Sequence, residues 1–163
     1  MASPLAVAHW FVQRLTNREV GEVVTHLRVQ KLLYFAQAWH LLALERPLFN
    51  EDMQAWAHGP VVPSVFHALK EHGWQPLPLD GDSSGIDADS LEILEQVVDI
   101  YGDYTAKRLE RMTHEEEPWI ATRGDLAPEE RCERPIPQQL IRDFYQRTYG
   151  DLEDVEEAPE VRH

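Results

Sequence analysis

Among its 163 residues the chain has a single cysteine, Cys132. A lone thiol excludes an internal disulfide framework and any multi-cysteine zinc site. Cys132 sits in a polar, proline-flanked segment beside Glu133, where nothing would lower its pKa, so an inert thiol is expected. Basic residues are also scarce: 15 Lys and Arg stand against 29 Asp and Glu, for a formal charge of −14. Affinity for phosphate backbones rests on cations that displace counterions, so neither direct nucleic-acid binding nor an anionic membrane partner is expected. A basic partner is the more natural one. No apolar run approaches the roughly 18 residues of a membrane span, and residues 1–5 hold no basic leader followed by a signal-type cleavage site. A cytoplasmic location is the expectation.

The usual carriers of catalysis are missing too. The eight histidines include no His-Glu-x-x-His, and His67 and His72 are five apart, roughly 140° around a helix, so they do not share a face as metal ligands would. Ser64 follows Pro63 without the Gly-x-Ser-x-Gly elbow that exposes a nucleophile. Gly81, Gly85 and Gly102 are isolated, and no Gly-Lys-Ser/Thr follows any of them. These gaps lead to the expectation of no catalytic residue, no metal and no cofactor. No internal repeat and no linker between two cores is visible, and no helix-turn-helix with a basic recognition helix accompanies the chain.

What is present is a chain with 43 % hydrophobic and 27 % charged residues, a globular balance. A domain of this length buries about 68–70 % of the surface that its unfolded form exposes. The stretch 25–44 organises the rest. Val29, Leu32, Leu33, Ala36, Trp39 and Ala43 follow helical spacing, while Leu27, Phe35, Leu41, Leu42 and Leu44 fill the other side. A helix apolar nearly all round has to be wrapped by others. Thr25 is the expected N-cap. Arg28 and Lys31 lie in the first two turns, where a cation opposes the helix dipole. For Lys31 an internal carboxylate from Glu115, Glu116 or Glu117 is the favoured partner, and an acidic group of a binding partner is the alternative.

Around this spine the patterning predicts a first amphipathic helix over 5–18, ended by Asn17 and Gly21, and a short extended strand at 53–57. Pro63 in a first turn predicts a helix to His72, with Gly73 as its C′ residue. A further helix follows from Asp89 to Tyr101, and another is capped by Thr105 and ends at Thr113-His114. The acidic run 115–117 suits the start of a helix at Pro118-Trp119. Residues 123–137 read as loop, and Leu140, Ile141, Phe144, Tyr145 and Tyr149 form a last helix. The acidic tail 151–163 has little to bury and is expected to be disordered. The fold class expected is mainly α: one compact, irregular multi-helix domain over 1–150 around a buried central helix, with at most a minor β-hairpin. Trp39, Trp56, Trp74 and Trp119 serve as core, and any left exposed would be an interface anchor.

The order of segments is also familiar. Gln30-Lys31-Leu32-Leu33-Tyr34-Phe35-Ala36-Gln37-Ala38-Trp39-His40-Leu41, then Arg46-Pro47-Leu48-Phe49, Ala55-Trp56, Gly59-Pro60-Val61-Val62-Pro63-Ser64-Val65, Leu109, Thr113-His114-Glu115 and Pro118-Trp119, resembles the Panacea domain family, which takes in phage-associated GepA-like proteins and SocA-like antitoxins. The resemblance runs from about residue 7 to 144. It implies a non-catalytic antitoxin of a toxin–antitoxin pair that neutralises a cognate toxin, encoded by an adjacent gene, through direct protein–protein contact. One branch of the family instead delivers its toxin to a ClpXP-type protease, and that alternative stays open, with a His-dependent hydrolase as a third class. Carried residue by residue, the pattern marks Gln30, Lys31, Tyr34, Trp39, Trp56, His58, Gly59, Pro60, Pro63, His114 and Trp119 as candidate scaffold or partner-binding positions.

Overall fold

The computed structural model of the chain describes residues 1–16 and 24–151. The tail expected to be disordered, and Asn17 and Gly21, lie outside the described residues, apart from Asp151. Helix α1 (Pro4–Leu15) starts at Ser3, whose side chain accepts from the Ala6 N–H, with Pro4 at the first helical position. It closes at Leu15, with Thr16 extended as its C-cap, and the expected end at residue 18 lies outside the described residues. Helix α2 (His26–Leu44) follows, and from Arg28 to Leu41 every residue is buried. Thr25 occupies the N-cap with extended backbone, yet its side chain makes no capping hydrogen bond.

Helices α1, α4 (Ala88–Tyr101), α5 (Ala106–His114) and α7 (Gln138–Tyr149) pack around α2, and α3 (Pro63–Leu69) touches it near its start. The result is the wrapped spine that an all-round apolar helix requires. Val29, Leu32, Leu33, Phe35, Ala36 and Ala38 are 0 % exposed, and Trp39 is 1 % exposed, so Trp39 belongs to the core. Its indole donates to the Tyr101 hydroxyl at 2.8 Å, and its ring meets Tyr145 edge-on at 5.2 Å between centroids.

The capping chemistry explains most other boundaries. The Asp87 carboxylate accepts from the Ser90 N–H and begins α4 one residue before the expected Asp89. The Thr105 hydroxyl accepts from the Arg108 N–H at the head of α5. Helix α6 (Glu117–Arg123) starts at the acidic run with Pro118 in its first turn. Helix α3 gives way at Leu69 to a 3₁₀ turn, Lys70–His72, before Gly73 at φ +55°. Its last turn is thus tighter than an α-helix carried to His72.

Strands β1 (Met53–Trp56) and β2 (Gly59–Val61) pair antiparallel as a hairpin, with Gln54 opposite Val61 and Trp56 opposite Gly59. A third strand, β3 (Pro135–Ile136), pairs on the other side of β1, giving the order β2-β1-β3. It corrects the expectation of loop throughout 123–137. Pro60, which has no N–H to contribute to a ladder, sits on the edge strand β2, where proline is tolerated.

Candidate functional site

The polar residues of α2 point to the site, because each one is buried and each is used. The Gln30 side-chain amide faces the backbone of Val62, accepting from its N–H at 2.8 Å and donating to its carbonyl at 3.4 Å. Two turns later Gln37 does the same for another connection, accepting from the Leu48 N–H at 2.8 Å and donating to the Phe49 carbonyl at 2.8 Å. His40 joins the Arg46 carbonyl at 2.7 Å to the Ser90 hydroxyl at 2.8 Å. An irregular segment that turns inward brings backbone groups needing partners, and these side chains supply them.

Lys31 lies between these staples, fully buried, and donates from Nζ to the Pro60 carbonyl at 3.0 Å. The expected pairing with Glu115, Glu116 or Glu117 is not what the structure shows. Burial pulls the ammonium down from 10.5 to about 7, and attraction to Glu110 on α5 offsets part of that loss. Gly59 makes room for the contact. At φ +105° it adopts backbone that favours glycine, and a Cβ there would lie 2.8 Å from Thr113 Oγ1 and 3.1 Å from both Lys31 Cε and Nζ.

His58, at the hairpin turn, bonds through Nδ1 to Glu110 Oε1 at 2.9 Å, and Lys107 approaches the same carboxylate at 3.4 Å. Burial would raise the Glu110 carboxyl, but the His58 hydrogen bond and the Lys107 ammonium outweigh it and hold the pKa below its ordinary value. Beyond Glu110, His114 stacks on Trp119 with centroids 4.0 Å apart and planes at 13°. Burial lowers the His114 pKa; Glu110 opposes that shift, and Lys31 adds to it. Trp119 donates to the Trp56 carbonyl at 2.8 Å, tying α6 to β1.

Gln30, Lys31, Trp56, His58, Gly59, Pro60, His114 and Trp119 therefore meet where α2, the hairpin, α5 and α6 converge. Pro63 starts α3 next to them. Tyr34 and Trp39 lie elsewhere. The Tyr34 hydroxyl donates to Glu116 at 2.8 Å, Tyr145 donates to the same carboxylate at 2.9 Å, and burial pushes Glu116 up to about 7. This places Glu116 in a tyrosine-lined pocket of the core rather than beside Lys31.

Several participants carried no local signal. Glu110 has no reading in the sequence, and Thr113 is marked there only as a helix end and a part of the family pattern. Arg123, the last residue of α6, reads as the first residue of a loop; it is 2 % exposed and donates to the carbonyls of Ala55 at 2.9 Å, Ala127 at 2.7 Å and Glu130 at 2.6 Å. It fastens the 127–130 segment to β1.

A groove of about 350 Å³ opens beside this junction, lined among others by Leu27, Gln30, Lys31, Trp56, Phe66 and Trp74. His26 lines it too, and its pKa falls to about 4 through burial first, then the charges of Lys31 and His72. Trp74 is 83 % exposed. A second cleft of about 470 Å³ shares Trp56, His58 and Phe66 and runs on to Arg131 and Cys132.

Residues 29–120, more than half of the chain and the segment that holds this junction, match the family described as antitoxin SocA-like, Panacea domain. The chain is also similar to Antitoxin SocA of Caulobacter vibrioides (strain NA1000 / CB15N), at 35 % identity over 68 residues, which is 42 % of this chain and 35 % of that protein. The chain thus matches about a third of that relative's length. No solved structure matches it. On the match over residues 29–120, the chain belongs to the SocA-like Panacea domain family.

Proposed function

We propose that the protein is the antitoxin of a toxin–antitoxin pair and neutralises its toxin by direct, stoichiometric binding. Family membership carries this reading, since the matched family is described as antitoxin SocA-like. The geometry at the junction supports binding over chemistry. Gln30, Lys31, Gln37 and His40 are engaged in holding irregular segments against α2, so what this region presents outward is shape and apolar surface. Lys31, for all its lowered pKa, is fully buried with its nitrogen on the Pro60 carbonyl.

The test is co-expression with the neighbouring gene. Growth arrest by that gene alone, rescue by this one, and co-purification of the two products are expected. Absence of rescue would remove the antitoxin reading. Rescue that disappears in cells lacking a ClpXP-type protease, with the toxin's half-life extended there, would replace direct neutralisation by proteolytic delivery.

A further inference from the structure

The groove beside Trp74 has an unusual make-up for this chain. Asp and Glu supply 29 of the 163 residues, yet none of the residues lining the groove is acidic, and two of the chain's three lysines line it: Lys31, buried with its nitrogen on the Pro60 carbonyl, and Lys70, exposed. Glu110, bonded to the lining residue His58, is shared with Lys107, so that cluster adds no unopposed negative charge. His26, Gln30 and His58 also line it, and the rest of the wall is apolar, from Leu27, Val61, Trp56 and Phe66. Its volume of about 350 Å³ falls at the lower end of the roughly 300–1,000 Å³ typical of ligand pockets. An indole standing 83 % exposed at such a mouth is the kind of side chain that anchors interfaces.

Resting on the antitoxin reading, we infer that this groove is where the toxin docks, and that it takes an acidic segment of the toxin carrying one large apolar side chain. The apolar side chain packs on the surface formed by Phe66 and Trp56, whose rings meet edge-on at 4.8 Å between centroids, and is covered by Trp74. The carboxylate beside it meets Lys70, the exposed cation of the groove, in a chain whose net charge of −14 disfavours acidic segments overall. That contrast makes the groove selective, because an acidic segment gains there and loses elsewhere on the surface.

The experiment titrates the purified product of the adjacent gene, inactivated so that it can be made alone, into the wild-type protein and three variants. Trp74→Ala and Lys70→Glu change exposed groove residues, and Arg142→Glu changes α7 outside the groove. Both groove variants should lose at least tenfold in affinity with unchanged melting curves, while Arg142→Glu binds like wild type. One Asp→Lys or Glu→Lys change in the toxin should restore binding to Lys70→Glu. If the wild type binds and both groove variants bind equally well, the groove assignment falls and the antitoxin reading stands. Loss with Trp74→Ala but not with Lys70→Glu would overturn the acidic segment. A wild-type dimer that Trp74→Ala converts to monomer, with toxin affinity kept, would show a second copy of this chain as the occupant. A wild-type protein that does not bind the toxin sinks the antitoxin reading itself, and the groove assignment with it.

Discussion

The fold perturbs the protonation of Lys31 and Glu116 in opposite senses, and both shifts begin with burial. For Lys31 the folded value of about 7 lies below its ordinary 10.5. Between those values the unfolded chain holds more protons, so Lys31 makes stability rise with pH from about 7 upward. Replacing it with methionine should remove that rise: the wild type gains on Lys31→Met, by an amount on the order of a few kcal/mol, as denaturant melts move from pH 7 to pH 9.5. Parallel stability profiles would mean that Lys31 is not titrating in the buried site. For Glu116 the folded value of about 7 lies above the ordinary 4.5. Its contribution is full below 4.5 and is lost as pH rises through 7. The wild type should therefore lose stability relative to Glu116→Gln between pH 4.5 and 7. The difference is the quantity to measure, because His26, His40 and His114 all have lowered values and push the wild-type profile the other way in that window. A constant difference across the window would contradict the buried, tyrosine-bound carboxylate.

Among the elements, the β1–β2 hairpin depends most on one position. Gly59→Ala places a Cβ against Thr113 and Lys31 at φ +105°, and backbone strain of this kind costs about 1–3 kcal/mol before any steric clash is added. Thermal unfolding should show the loss, together with a shift of the Lys31-dependent pH profile as the hairpin moves off α2. A Gly59→Ala protein as stable as wild type would show that the close approach is not required. The elements themselves were largely legible in the sequence. Pro63, Asp87, Thr105 and the 115–117 acidic run start helices through local chemistry, and the all-round apolar pattern of α2 demanded burial whatever wrapped it. Strand β3 was not legible, since two residues carry no period and its partner Met53 is over eighty residues away. The partner of Lys31 is not legible for a related reason: a backbone carbonyl has no sequence identity, so opposite charge along the sequence points to carboxylates and not to Pro60. Glu116 lies at the helix start that the acidic run predicts, but its partners Tyr34 and Tyr145 come from two other helices.

Over the whole molecule, α2 is both the core and the place where irregular segments are held, so a sequence pattern that marks its polar residues marks the scaffold first. Eight of the eleven positions so marked meet where α2, the hairpin, α5 and α6 converge. Gln30, Lys31, Gly59, Pro60 and His114 do gather at one junction, whereas the groove needed Phe66, Lys70 and Trp74, whose adjacency exists only once α3 and its 3₁₀ turn lie beside α2. Among the described residues no helix is long and apolar enough to cross a membrane. If neutralisation is by direct binding, as proposed, each molecule should silence one toxin molecule. The decisive measurement is therefore residual toxin activity in a purified, protease-free mixture titrated with the full chain. Activity falling linearly to zero at a fixed stoichiometric ratio close to equimolar is the predicted result, and complete silencing by a small fraction of an equivalent would contradict it.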